Sequence, residues 1–231
     1  HPTIKRSLQL LLVAVLSLSS FWHSSATFAD SNVSTTSLGL RYDIGQVTVQ
    51  DFWIDPTRGN DANPGTSRTQ PFKTVQAAWQ RVPKGTSLTG TGYRFNLLPG
   101  RYGWDNLPNF WEDGKGTKSF PIILQAVDGP GTVTLTRDIN SKGLSHFYLI
   151  DLTIAPEPAG DTLHFEDASY VLIRNVTLNG GNRAAHETLK INQSQYVYIE
   201  DSTISGADDN AIDFVAVQYG HVVRNNISNA G

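Results

Sequence analysis

Four segments of the chain end alike and recur at nearly constant intervals. "FYLIDLTI" ends at Ile154, "YVLIRNVTL" at Leu178, "YVYIEDSTI" at Ile204 and "GHVVRNNI" at Ile227, giving spacings of 24, 26 and 23 residues. A second landmark keeps the same beat. "DTLHF", "ETLKI" and "NAIDF" carry Leu163, Leu189 and Ile212, which lie 26 and 23 residues apart. Two marks that drift together indicate a repeating unit with one loop of variable length. The units are rich in β-branched and aromatic residues, so each reads as two or three short strands and not as a helical hairpin. A leucine-rich repeat has a similar period, but its leucine and asparagine pattern is missing. One such unit cannot bury its own apolar face. Units must stack and pair edge to edge, ~4.8 Å apart, which makes an all-β parallel β-helix with equivalent residues in ladders along the stack. Asn175, Asp201 and Asn225 are expected near a common turn, where Asn and Asp tolerate the sharp bend.

The flanks of the repeat set the compartment and the boundaries. Residues 1–29 read as a secretory signal peptide: Lys5 and Arg6 precede an apolar run from Leu8 to Leu18, and Thr27 and Ala29 fit the −3 and −1 positions of a cleavage site. The run is short against the ~20 residues of a spanning helix. The expectation is therefore a protein that is secreted, periplasmic or on the cell surface, with no membrane attachment after cleavage. Cysteine is absent, which excludes disulfide and thiolate chemistry. Loss of the leader leaves 16 basic against 21 acidic residues. That balance offers no basic stripe for nucleic acid, and a polyanionic partner would have to be met by local positive charge. Residues 30–50 read as a linker and leading strand, and 51–231 as the β-helix. No capping segment follows "GHVVRNNI", so the reading is of a β-helix that is C-terminally incomplete, with further coils to come, and a monomer at full length.

Residues 51–102 add a distinct string of signals. "FWIDP" is a strand stopped by Pro56, and "GNDANPGTS" is dense turn chemistry. "PFKTVQAAWQRV" is expected as a helix of about three turns, with Phe72, Val75, Trp79 and Val82 on one apolar face. "YRFNLLPG" is the next strand. The order strand, "GNDANPGT", "PFKTVQAA", "LLPGRY" resembles the N-terminal cap and first coil of secreted right-handed parallel β-helix proteins of the pectate-lyase-like kind. The resemblance implies a right-handed, single-stranded parallel β-helix with an N-terminal cap helix. By itself it implies no reaction.

Stacking brings "DTLHF", "ETLKI" and "NAIDF" into register. Leu163, Leu189 and Ile212 form one inward row. Under strict alternation the outward sets are Thr162, His164 and Glu166, then Thr188, Lys190 and Asn192, then Ala211, Asp213 and Val215. His164, Lys190 and Asp213 become vertical neighbours: a base candidate, a cation and a carboxylate. A plain surface ion-pair ladder, worth ~0–1 kcal/mol, accounts for them equally well. Asp161, Glu187 and Asn210 are register equivalents, and "GADDNAID" adds Asp208, Asp209 and Asp213. Oxygens converging from adjacent coils suit calcium, which takes six to eight of them, although "GADDN" is also ordinary turn composition.

The resemblance gives these residues roles. β-Helix lyases abstract the proton beside a uronate carboxylate with a base, often Lys or Arg, and a cation, usually calcium. Lys190 is then the expected base, with His164 and Asp213 beside it. Asp208, Asp209, Asp213, Glu187 and Asp161 are the expected calcium ligands. The Asp-Asp-x-x-x-Asp spacing departs from the shorter one in the pectate lyases it resembles. The first reading is a lyase acting on an acidic polysaccharide with calcium. A glycoside hydrolase using Asp209, Asp213 and Glu187 and a non-catalytic adhesive β-helix are the alternatives. In the loop 103–119, Trp104 and Trp111, with Phe110, are candidate surfaces for sugar rings, or else packing over the top of the stack.

Overall fold

Four-residue stretches such as "LHFE" and "LKIN" alternate strictly between buried and part-exposed positions, as a strand with one face in a core must. The computed structural model describes residues 33–36, 39–157, 160–183 and 186–230. Among them the strands of the repeat build three parallel sheets. The seven-stranded sheet runs from Val49–Ile54 through Gly92–Leu97, Ile122–Ala126, Ser145–Ile150, Ser169–Arg174 and Gln195–Glu200 to Gln218–Val223. The six-stranded sheet runs from Gly100–Tyr102 to Asn226–Ser228. The five-stranded sheet comprises Trp111–Glu112, Ile139–Lys142, Leu163–Glu166, Leu189–Asn192 and Ile212–Val215. Each coil gives one strand to each sheet in turn, so the chain is a right-handed parallel β-helix.

The register is the one read from the repeats. Leu163 pairs with Leu189 and Leu189 with Ile212, while Phe165, Ile191 and Phe214 form the next row. Leu163, Phe165, Leu189 and Ile191 are fully buried. Each such side chain contributes ~1.5–3 kcal/mol relative to an exposed one, and the row repeats because every coil presents the same interior. The turn between the seven- and six-stranded sheets is built from left-handed residues: Asp151, Asn175, Asp201 and Arg224. Asn175 and Asp201 are as expected. In the last coil, however, Arg224 and not Asn225 takes the bend, and Asn225 instead bonds the backbone of Ser202 and Ile199.

Two features of the N-terminal part differ from the sequence reading. The cap helix is a single turn and a half, Val75–Trp79. Asp61 accepts the backbone N–H groups of Lys73 and Thr74, and Thr74, extended, caps Ala77 N. Phe72 is thereby left free to bridge Ile54 in parallel fashion, and Pro83 closes the other end by disfavouring helical geometry at Val82. Phe72, Val75, Trp79 and Val82 are nonetheless all buried together. Within the expected linker 30–50, Val33–Thr36 and Gly39–Tyr42 pair as antiparallel strands. The segment after them lies on the outer face of the seven-stranded sheet. There Tyr42 is buried with Ile123, Tyr148, Leu172 and Tyr198, and its hydroxyl is 2.9 Å from that of Tyr148. The expected leader, residues 1–29, lies outside the described residues. Among the described residues no helix is long and apolar enough to cross a membrane.

Candidate functional site

Threonines set the foundation of the site. Thr162 and Thr188, expected outward, are fully buried, as is most of Ala211. Their hydroxyls turn to backbone carbonyls of the six-stranded sheet: Thr162 Oγ1 to Asn179 O at 3.4 Å and Thr188 Oγ1 to Ser205 O at 3.1 Å. The backbone N–H of Thr162 donates to Glu187 O, and that of Thr188 to Asn210 O. These bonds hold Asp161, Glu187 and Asn210 one above another at the entrance to the five-stranded sheet. Gly180 completes the corner, where an added Cβ would come within 2.4 Å of Gly206 O and 2.6 Å of Thr188 Oγ1.

The outward row Asn140, His164, Lys190, Asp213 is continuous from coil to coil. Lys190 is its centre. The ammonium lies 3.1 Å from Glu187 Oε1 and 3.5 Å from Asp213 Oδ2. Asp161 Oδ1 accepts the backbone N–H of Glu187 at 3.2 Å and lies 3.5 Å from His186 Nδ1. His164 stands one step aside, its Nε2 3.2 Å from the Asn192 amide nitrogen. One coil earlier, Lys142 is 2.7 Å from Glu166 and 3.5 Å from Asp167.

Protonation follows from this geometry. Burial raises the Asp161 carboxyl, and its hydrogen bond to Glu187, together with that group's charge, raises it further. Burial also pushes Glu187 upward, but hydrogen bonds from Asp161 and Lys190 outweigh it and hold Glu187 below the usual range. Lys190 is raised above an ordinary lysine by its bond to Glu187, against a smaller burial effect, with the charges of Asp161 and Asp213 adding to it. The cluster therefore pairs a carboxyl pushed up, Asp161, with one pushed down, Glu187, and sets an ammonium between Glu187 and Asp213.

This outcome bears on the expected roles. A lysine held as a cation by two carboxylates is a poor base, so Lys190 does not fit the proton-abstracting role. Asp208 and Asp209 are exposed on the loop, away from the Lys190 contacts, and Asp209 accepts from the Asn210 amide. Among the described residues no three carboxylates or imidazoles gather as a metal ion requires. Where carboxylates do converge, the Lys190 ammonium occupies the position a cation would take.

Trp111 is not a sugar surface. It is fully buried, with ring centroids 4.9 Å from Trp79 and 5.7 Å from Phe147. Trp111 shares its inward row with Ser141 and Phe165, and packing there decides its direction. Trp104 is 58% exposed, its ring lying on the Arg137 guanidinium at 4.0 Å. It borders a cleft of about 620 Å³ with Trp79, Lys84, Phe110 and Glu112. Lys84, which no motif marked, donates to Trp79 O and Val82 O, and burial lowers it to about 8. The cleft draws on two separate segments, 76–84 and 104–113, so no local spacing could have announced it.

The comparisons with known proteins can be set against this geometry. A solved rhamnogalacturonan lyase is similar over 76% of this chain and 63% of that one, at 16% identity and a TM-score of 0.42. The chain thus spans less than two thirds of that structure, and a likeness so loose assigns neither reaction nor residues. None of the curated proteins matches. A family model, described as a protein of unknown function (DUF1565), matches residues 57–230, from the turn region before the cap helix to the last strand. By that match over most of its length, the chain belongs to the DUF1565 family.

Proposed function

We propose that this chain is a carbohydrate-active β-helix that cleaves a glycan by hydrolysis, with Asp161 as general acid and Asp213 as general base. One observation carries the reading. The Asp161 carboxyl is pushed up and that of Glu187 pushed down, while Asp213 lies 3.5 Å from the Lys190 ammonium. Pairs of titratable groups driven apart in this way mark acid and base assignments. The strands leading from Asp161 and carrying Asp213 are two coils apart, a backbone spacing of roughly 9.6 Å. Both carboxyls lean toward the Glu187–Lys190 pair between them. The separation then falls toward the ~6.5–9.5 Å of inverting enzymes, with room for one water.

In the proposed reaction Asp161 gives its proton to the glycosidic oxygen as the bond to the anomeric carbon breaks. Asp213 takes a proton from the water whose oxygen attacks that carbon from the opposite face. The products are an inverted hemiacetal and a free hydroxyl, and solvent returns the proton from Asp213 to Asp161. Glu187 helps Asp161 hold its proton by raising that carboxyl, and Lys190 positions Asp213 from 3.5 Å.

Charge favours this over elimination on an acidic glycan. Among the described side chains of this face, Lys142 already has Glu166 and Asp167, and Lys190 already has Glu187 and Asp213. Neither of these two lysines is left over for a uronate carboxylate, which favours an uncharged glycan as substrate. The test is to incubate the protein with neutral and uronate polysaccharides while following reducing ends, the anomeric configuration of the first product and absorbance of unsaturated ends. Reducing ends of inverted configuration are expected, without unsaturated product. Asp161→Asn should lower the rate ~10²–10⁴-fold. Because burial disfavours the ionised Asp161, this variant should melt no lower than the parent at neutral pH. Unsaturated products, or full activity in Asp161→Asn, would refute the assignment.

A further inference from the structure

The outward face of the five-stranded sheet continues past the reactive cluster into the cleft beside the cap helix. Glu112 pairs with Lys142, and Lys142 with Glu166, so the cleft wall and the Asp161 coil belong to one strand ladder. Phe110, Glu112 and Asp113 line the cleft and also a second hollow that reaches Lys142 and Asp167. At the cleft's rim stands Trp104. An indole 58% exposed on a loop loses side-chain entropy if it is held still, so what holds it is informative. The Arg137 guanidinium lies under the ring at 4.0 Å, and Arg137 is itself 5% exposed. Arg137 is fixed in turn by Asn109, whose Oδ1 accepts from Nη1 at 2.7 Å and whose carbonyl accepts from Nη2 at 3.2 Å. One face of the indole is therefore braced from within, and the side away from Arg137 is turned to solvent.

We propose that Trp104 is a rigid platform for an uncharged pyranose ring, a distal subsite for the glycan that the cluster cleaves. The choice of ligand rests on the reading above. A sugar ring offers a flat apolar C–H face to an aromatic surface and a rim of hydroxyls to polar neighbours. Asp105, Glu112 and Asp113 supply acceptors, and Gln76 and Gln80 supply amides. Three carboxylates against the single ammonium of Lys84, two of whose three donors go to backbone carbonyls, set the cleft against uronates. Two coil spacings, roughly 9.6 Å, separate the Glu112 strand from the Glu166 strand. The platform therefore holds a sugar distinct from the one being cleaved, and it selects for chain length.

Tryptophan fluorescence of the intact protein tests this without requiring turnover, using xylohexaose, cellohexaose, mannohexaose and chitohexaose, with hexagalacturonate as the anionic comparison. At least one neutral hexamer should change the emission saturably, and its disaccharide should bind at least tenfold more weakly. Trp104→Ala should weaken hexamer binding about tenfold, followed for this variant by calorimetry, and Trp104→Phe should restore most of it. Absence of binding by every neutral hexamer, unchanged affinity in Trp104→Ala, or preference for hexagalacturonate would each overturn the proposal. Binding that depends on Trp104 with no product from the parent would leave the platform standing and remove the hydrolytic reading instead.

Discussion

Replacing Glu200 should cost more stability than replacing any surface acid of this protein. Glu200 is 1% exposed at the end of its strand in the seven-stranded sheet. One carboxylate oxygen accepts from Arg174 at 3.0 Å and from the backbone N–H of Tyr42 at 3.1 Å, and the other from Arg224 at 2.8 Å. Three coils and the N-terminal segment therefore meet on one buried charge. Breaking a buried pair from one side costs ~3–5 kcal/mol, because the partner charges are left without compensation. Arg174 and Arg224 keep 14% and 23% of their side chains in solvent, which relieves part of that. For Glu200→Ala we expect ~3 kcal/mol, which for a chain of this size corresponds to a fall of ~6–12 °C in Tm. Glu200→Gln should lose somewhat less, since one oxygen remains to accept. Urea titration with circular dichroism reads the loss. Amide exchange at Tyr42 should quicken more than at Leu163, because the clasp releases the N-terminal segment before the core. Glu157→Gln is the control: its pair with Arg101 is 71% and 65% exposed, and such pairs contribute ~0–1 kcal/mol. A Glu200→Ala protein within ~1 kcal/mol of the parent would refute the clasp.

Two further outcomes follow from the core and from the carboxylates. Trp111→Ala should destabilise by ~3–5 kcal/mol in the same urea assay, as large aromatic deletions in packed cores do, while Trp104→Ala should stay within ~0.5 kcal/mol of the parent. Stability should decline as pH drops from ~6.5, because burial holds His146 down at about 4, and fall further below pH ~4 as depressed carboxylates protonate. Asp201 is depressed by Arg224, and Asp51, despite burial, by Arg94 and Asn96. A carboxylate whose folded pKa lies below its unfolded one contributes stability above the unfolded value and loses it as pH drops through the folded one. Thermal melts between pH 2 and pH 7 check this, and a melt that rises as pH drops below 4 would contradict it.

The inward ladder was legible because stacking imposes it. Leu163, Leu189 and Ile212 answer to one shared interior, so their spacing alone gives the register. Trp111 was not legible in this way. In "NFWED" either Phe110 or Trp111 satisfies local alternation, and only the pairing with Ser141 and Phe165 settles which one enters the core. The cap helix was overread because the apolar spacing of Phe72, Val75, Trp79 and Val82 is also met by a bridge residue, a short helix and a turn that share one core. The hold of Asp61 on Lys73 and Thr74 is a tertiary bond 12 residues back, invisible to any local pattern. The charge state of Lys190 was likewise undecided. Its neighbour Asp213 follows from register, but the nearer partner Glu187 belongs to the turn that enters the same strand.

That partner changes how the His164, Lys190, Asp213 ladder is understood. Outward neighbours on adjacent coils sit one strand spacing apart, and like charges there are destabilising. A lysine beside an aspartate therefore needs no functional reason, and the outward Thr153, Thr177, Thr203 row shows that neutral ladders serve equally well. What stacking does not call for is Asp161. It adds a third acid to a site where one ammonium already balances two, and it holds that acid part-buried with its carboxyl pushed up. An asparagine there would remove the burial cost of the charge, and the equivalent position two coils beyond is Asn210. The fold gains nothing from a raised Asp161 carboxyl, whereas the proton-donating reaction proposed above would use one.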